Sequence, residues 1–150
     1  MGVLINKPLG QGLLTGAHPR SGQRTFGDGD HRTRKRWFTD PNATAAINEG
    51  LDELRTLLVR DPTRPWTDSP VGPRDFIRVA LWSCLSRSQQ AAVLVGFTHP
   101  DQVLRNLTCL GPQPPDEDIL TAARAVMGRV QRRLDSTGQV FLDEAADGGR

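Results

Sequence analysis

Apolar residues follow two rhythms along this chain. In places they form short unbroken runs, as in strands buried on both faces. Elsewhere they recur every three or four positions, as on one face of a helix. Gly2–Ile5 (GVLI) is the first unbroken run and reads as a short buried strand. In TDPNATAAINEGLDELRTLLVR, Ile47, Leu51, Leu54 and Leu58 share one helical face, Asp40 stands at the cap and Pro41 at the first helical position. From Pro73 onward, Phe76, Ile77, Ala80, Leu81, Cys84 and Leu85 lay down two adjoining stripes, a second helix. AAVLVGF, at 91–97, is a second buried strand, and THPDQVLRNL a short helix opened by Pro100 and capped by Thr98 or His99. GPQPPDED then leads into a last helix, capped by Asp116, with Ile119, Leu120, Ala123, Val126, Met127, Val130 and Leu134 as a core-packing stripe.

The connections are long. Residues 17–39 are polar, basic and aperiodic and read as a loop of a length that is usually functional. Residues 61–72 form a proline-rich loop pinned by Trp66, and the final ADGGR reads as a frayed end. Strands alternating with helices argue for an α/β protein with a parallel sheet. Only two strands are visible, and two parallel strands alone leave open hydrogen-bonding edges, so the architecture is incomplete.

Composition narrows the class. With 150 residues, 37% hydrophobic and 24% charged, the chain has the make-up of one globular domain. The net charge of +2 conceals an asymmetry. Residues 1–37 hold seven basic side chains against Asp28 and Asp30, which suggests an anionic partner. Cys84 and Cys109 have no metal-like spacing and no disulfide framework. Neither a membrane-length apolar run nor a signal-peptide pattern is present, and the expected location is the cytoplasm.

Candidate chemistry gathers in PLGQGLLTG, where Gly10, Gly12 and Gly16 follow the first strand. The spacing G-x-G-x-x-x-G is not the G-x-G-x-x-G of a Rossmann turn, and no acidic residue ends a second strand about 20 residues on. A Walker loop would need Gly-Lys-Ser/Thr, which is absent. The glycines also suit a sharp turn with no ligand. RTRKRW at 32–37 sets four basic residues beside Trp37; a solvated loop accounts for it better than nucleic-acid binding. Asp28, Asp30 and His31 are ligand types for a metal, but in a Gly-rich loop they are more often turn residues. Cys84, on an apolar stripe, reads as core.

GVLINKPLGQGLLTG resembles the stretch around the seventh barrel strand of the aldo-keto reductases. GDHRTRKRWF resembles the loop after it in many bacterial members, and FIRVALWSCLS their helix before strand eight. VLVGFTHPDQVLRNL is similar to their eighth strand and following helix, with the motif Gly-x-Ser/Thr-x-x-x-Gln-x-x-x-Asn. The resemblance implies the C-terminal part of a (β/α)8 TIM barrel, incomplete here because such barrels need about 250 residues. It divides the chain into strand seven and phosphate loop (1–16), basic loop (17–39), helices (40–90), strand eight and its helix (91–110) and the C-terminal helix (116–135).

The cofactor implied is NADP(H). By resemblance, Pro8, Leu9, Gly10, Gln11 and Gly12 lie against the pyrophosphate, where small residues let backbone N–H groups approach. Arg32 reaches across the cofactor. Gly96 and Thr98 meet the adenosine phosphate at a helix N-terminus, and Gln102 and Asn106 face the ribose phosphate and adenine. Ala17 replaces a lysine usual in the family, and Arg105, at the same site, replaces a glutamate.

The family's carbonyl chemistry uses an Asp, Tyr, Lys and His tetrad from the first half of the barrel. This sequence has no tyrosine, and its lysines, Lys7 and Lys35, like His18, His31 and His99, fall in stretches that match the late part of the fold. The expectation is therefore an NADP(H)-dependent oxidoreductase portion with no catalytic residues of its own, inactive alone and binding cofactor weakly or not at all. Met1 falls near the start of strand seven, as expected of a truncated or mis-started gene or of half a split gene. Its expected partners are the dinucleotide and a complementing N-terminal half-barrel chain; a non-catalytic nucleotide-binding or interaction module is the alternative.

Overall fold

The computed structural model describes residues 2–18 and 26–136, so the expected frayed end lies outside them. The protein is α/β and mostly helical. It consists of β1 (Val3–Asn6), α1 (Arg36–Thr39), α2 (Pro41–Leu58), α3 (Pro73–Leu85), β2 (Ala91–Leu94), α4 (Pro100–Leu110) and α5 (Glu117–Asp135), with 3-10 turns at Gly10–Thr15 and His31–Arg34. β1 and β2 pair in parallel, Val3 opposite Ala91 through Asn6 opposite Leu94.

Each long helix starts where its capping chemistry puts it. The Asp40 carboxylate accepts the N–H groups of Asn42 (2.8 Å) and Ala43 (3.4 Å), and Pro41 follows at the first position. Asp116 accepts the Asp118 N–H at 2.9 Å; Glu117 and Asp118 then face the positive end of α5 and Arg132 and Arg133 its negative end. For α4, His99 is the cap and Thr98 is not: His99 Nδ1 accepts the Asp101 N–H at 3.4 Å.

The core is chiefly helical. α2 and α5 are the most extensively packed pair, and Ile47, Leu51, Leu54 and Leu58 meet Ile119, Leu120, Ala123, Val126, Val130 and Leu134. Gly50 is what allows the close approach, since a Cβ there would lie 2.5 Å from Val130 Cγ2. Glu49–Arg133 and Glu53–Arg129 ion pairs flank the contact. A smaller cluster of Ile77, Leu81 and Cys109, with Trp66, Val93 and Val95 against it, joins α3 and α4 to the sheet.

Three expectations change. β1 is shifted one residue from its apolar run, β2 is shorter than its run, and neither strand is buried on both faces: Leu4 is 65% and Leu94 51% exposed. With two strands in the sheet, no layer among the described residues covers the second face that a parallel sheet normally buries. Residues 31–39 are not loop but a 3-10 turn and the helix α1, anchored by buried Phe38 against the ring edges of Phe26 and His18. Cys84 is only half-buried, because α3 turns Phe76 and Val79 to the main core and Ile77 and Leu81 to the smaller cluster; the buried thiol is Cys109. Burial pushes both thiols up from their ordinary value, Arg87 opposing it at Cys84.

Candidate functional site

The parallel register fixes where the expected site segments emerge. Asn6 and Leu94 are paired, so the chain leaves both strands at the same end of the sheet, as Lys7–Gly12 on one side and Val95–His99 on the other. Ligands of parallel α/β sheets sit at this carboxyl end.

The first segment folds tightly on itself. Lys7 (φ 55°), Gly10 (53°), Gln11 (57°) and Gly12 (90°) are all left-handed, a conformation glycine takes freely and the other two at a cost of about 1 kcal/mol or more each. The Gly10 N–H donates to the Lys7 carbonyl and the Gly12 N–H to the Leu9 carbonyl, both at 3.0 Å. Two amides expected to face a phosphate are thus bonded within the turn. Pro8 is buried and Leu9 packs under the sheet.

Gln11 brings in the second segment, its Nε2 lying 2.8 Å from His31 Nε2. Asp30 caps the His31–Arg34 turn and grips Arg32 twice over, at 3.0 and 3.1 Å from Nε and 2.6 Å from Nη2. The side-chain bonds from Arg32, and after them its backbone N–H, hold the Asp30 carboxyl at about 2. The Arg32 guanidinium stacks 4.5 Å above Phe26. RTRKRW is partly committed in the same way, with Lys35 over the Trp37 ring at 5.4 Å. Among the described residues, no three His, Cys, Asp or Glu side chains gather to hold a metal.

The third segment is open. Gly96 and Thr98 are exposed, and a Cβ on Gly96 would meet nothing within 4 Å. Gln102 folds back over the start of α4, its Oε1 accepting the Thr98 N–H at 2.8 Å. Arg105 is exposed and Asn106 half-buried. Gln11 and His31 tie the first two segments together.

Sequence reasoning missed a buried ionic network built on α3. Arg78 and Asp61 pair at 2.6 Å with side chains 3% and 1% exposed. Arg78 also donates to the Thr63 carbonyl and hydroxyl and to the Gln113 carbonyl. Arg64 pairs with Asp75 at 2.6 Å, and Asp75 accepts the Gly72 N–H. Burial pushes the Asp61 carboxyl up, but bonds from the Thr63 hydroxyl and N–H and from Arg78 outweigh it and leave Asp61 below its ordinary value. The available signal was the pair of charged residues, Asp75 and Arg78, standing inside an apolar helix face.

The chain matches no protein-family model, no curated protein and no solved structure. Among the described residues no helix is long and apolar enough to cross a membrane.

Proposed function

We propose that this chain is the dinucleotide-binding, C-terminal portion of an aldo-keto reductase-like (β/α)8 oxidoreductase, with NADP(H) as its cofactor. The observation that carries the reading is the parallel pairing of Asn6 with Leu94, which sets PLGQG and GFTHPDQ beside one another at the carboxyl end of the sheet. In donor type the residues fit a pyrophosphate and a ribose phosphate: Arg32 and Arg105 as cations, Gln102 and Asn106 as amides, open space at Gly96. Those donors are largely engaged. Gly10, Gly12, Thr98 and Arg32 each spend donor groups on the chain itself, so binding has to break or share those bonds. The expected affinity is therefore low, on the order of 0.1–1 mM. No proton or hydride step falls to this chain, which has no tyrosine.

Saturation-transfer NMR with NADP+ tests the reading. Transfer to the adenosine 2′-phosphate end is expected, and its loss in Gln102→Ala and Asn106→Ala. No transfer at millimolar cofactor would remove the dinucleotide, and transfer indifferent to both substitutions would remove the site.

A second reading, an interaction module, draws on one observation. Leu4 and Leu94 on the sheet and Phe97, Leu104 and Leu107 beside it are all more than half exposed. Under either reading the partner is a chain supplying the missing strands, an N-terminal half-barrel. Co-expression with such a half should yield a complex with NADPH-dependent carbonyl reductase activity; failure to co-purify would discard that partner.

A further inference from the structure

α4 reverses the usual arrangement of a helix on a core. Gln102 and Asn106 turn inward with Cys109, while Val103, Leu104 and Leu107 are exposed. α2 and α5 do the opposite and bury their apolar stripes against each other. Pro100, Val103, Leu104 and Leu107 follow the i, i+3, i+4, i+7 spacing of one helical face, so the outward stripe is continuous over two turns. Exposed apolar side chains scattered singly need no explanation, but a contiguous row of them marks an interaction site.

Charge says what the stripe meets. Asp101 and Arg105 are exposed, stand one helical turn apart and flank the stripe on one side. Asp101 is 3.3 Å from His99 Nδ1, an open contact between two well-exposed side chains. The Arg105 guanidinium has no hydrogen bond or ion pair among the described residues. An antiparallel copy of α4, related by a two-fold axis between Val103 and Leu104, sets Val103 opposite Leu104 and Pro100 opposite Leu107. The stripe then covers itself, as a two-fold contact requires. The same axis brings Asp101 of each copy to within one residue, about 1.5 Å along the helix, of the level of Arg105 in the other. Opposite charges therefore meet twice, where like charges would oppose the contact.

We infer that α4 is the contact surface for a second copy of this chain, packed antiparallel through Val103, Leu104 and Leu107 with Asp101 and Arg105 paired across the two-fold. The strand edges play no part in it. It shares only Arg105 with the dinucleotide reading and does not depend on that reading, since Gln102 and Asn106 lie on the inner side of α4. α4 has 11 residues, so the contact is smaller than a standard interface and the dimer a weak one, with Kd on the order of 10–100 µM.

Sedimentation equilibrium on the full chain, from about 5 µM to about 1 mM, tests the inference across that range. A monomer–dimer equilibrium is expected. Asp101→Arg and Arg105→Asp should each weaken it about tenfold, the worth of two exposed ion pairs. An equimolar mixture of the two variants should recover the parent affinity, because each then meets the opposite charge in the other. Both positions are exposed, so far-UV circular dichroism should not change. A monomer at about 1 mM, association indifferent to both substitutions, or a mixture no tighter than either variant alone would overturn the inference.

Discussion

Arg78→Met would test the Arg78–Asp61 ion pair, whose side chains are 3% and 1% exposed. The substitution keeps the stem that packs in α3 and removes the guanidinium. Asp61 is then left with its side chain 1% exposed and its cation gone. Breaking a buried pair in this way costs about 3–5 kcal/mol. The low end applies here, because Asp61 still accepts the Thr63 N–H at 2.9 Å and the Thr63 hydroxyl at 2.6 Å. A loss of about 3 kcal/mol is a large share of the ~5–15 kcal/mol that holds a domain together. At 2–4 °C per kcal/mol it lowers Tm by roughly 6–12 °C. Urea unfolding at pH 7, followed by circular dichroism, measures it directly. The double variant Asp61→Asn/Arg78→Met should recover at least about 1 kcal/mol over Arg78→Met alone, since neither side chain then carries an unpaired charge. The pH dependence has a definite sign. Asp61 is depressed in the folded chain, so its stabilisation is complete above the unfolded carboxylate value of about 3.9 and disappears as pH falls through the folded one. Asp61→Asn should therefore flatten the acid limb of the stability curve. An Arg78→Met variant within 1 kcal/mol of the parent, or a double variant no better than the single, would refute the argument.

Gly50→Ala should destabilise despite Ala's better helix propensity, by about 1–3 kcal/mol, because its Cβ would meet Val130 Cγ2 at 2.5 Å; Val130→Ala in the same chain should restore part of the loss in the same urea assay. Gly16→Ala should cost more than 1 kcal/mol, having both a left-handed backbone (φ 66°) and Phe76 Cε2 at 2.8 Å against it. The purified chain should oxidise no NADPH with a panel of aldehydes, since it has no tyrosine to donate the proton; robust protein-dependent turnover would contradict this. Leu104→Lys with Leu107→Lys should reduce self-association in sedimentation experiments without changing Tm by more than a few degrees, because both side chains are more than 60% exposed.

The helices were legible because their signals are local. Asp40-Pro41, Pro73, Pro100 and Asp116 mark starts by side-chain chemistry within a few residues, and the stripes on α2 and α5 find each other in the core as their spacing predicts. The strands were legible in place but not in burial, since what covers a strand is not written in the strand. α1 was missed because four residues are too few for a period, and Phe38 is held by rings at positions 18 and 26 rather than by its own helix. Of the candidate site, the sequence pattern located the two segments directly after β1 and β2, where the structure has them emerge at one end of the sheet. It could not reveal that the Gly10 and Gly12 amides turn inward, which depends on the left-handed backbone of Lys7 and Gln11, residues with no intrinsic preference for it. The Arg78 network was hidden for the opposite reason. Arginine and aspartate ordinarily mark a helix as solvent-facing, and only the return of residues 61–64 and Gln113 onto α3 makes them interior.

The division between the two clusters bears on what such a chain is for. α2 and α5, with Phe76 and Val79 of α3, close a core that needs nothing from the sheet. β1 and β2 rest on three buried side chains, Ile77, Leu81 and Cys109, and leave their other face apolar and uncovered. A plain remnant of a barrel would be expected to expose the α5 stripe, which in a whole barrel would face a neighbouring element. Here that stripe packs on α2, and among the described residues the large exposed apolar side chains lie on the sheet, at Phe97, on α4 and at Val59. The helices therefore close their own core, and the sheet they carry has an apolar face that nothing among the described residues covers. That distribution is what the proposed completion of the sheet by further strands would require. It also explains the engaged donors at the strand ends. With no third strand among the described residues to order them, the loops after β1 and β2 satisfy their amides locally, and a dinucleotide would have to compete with the chain's own bonds.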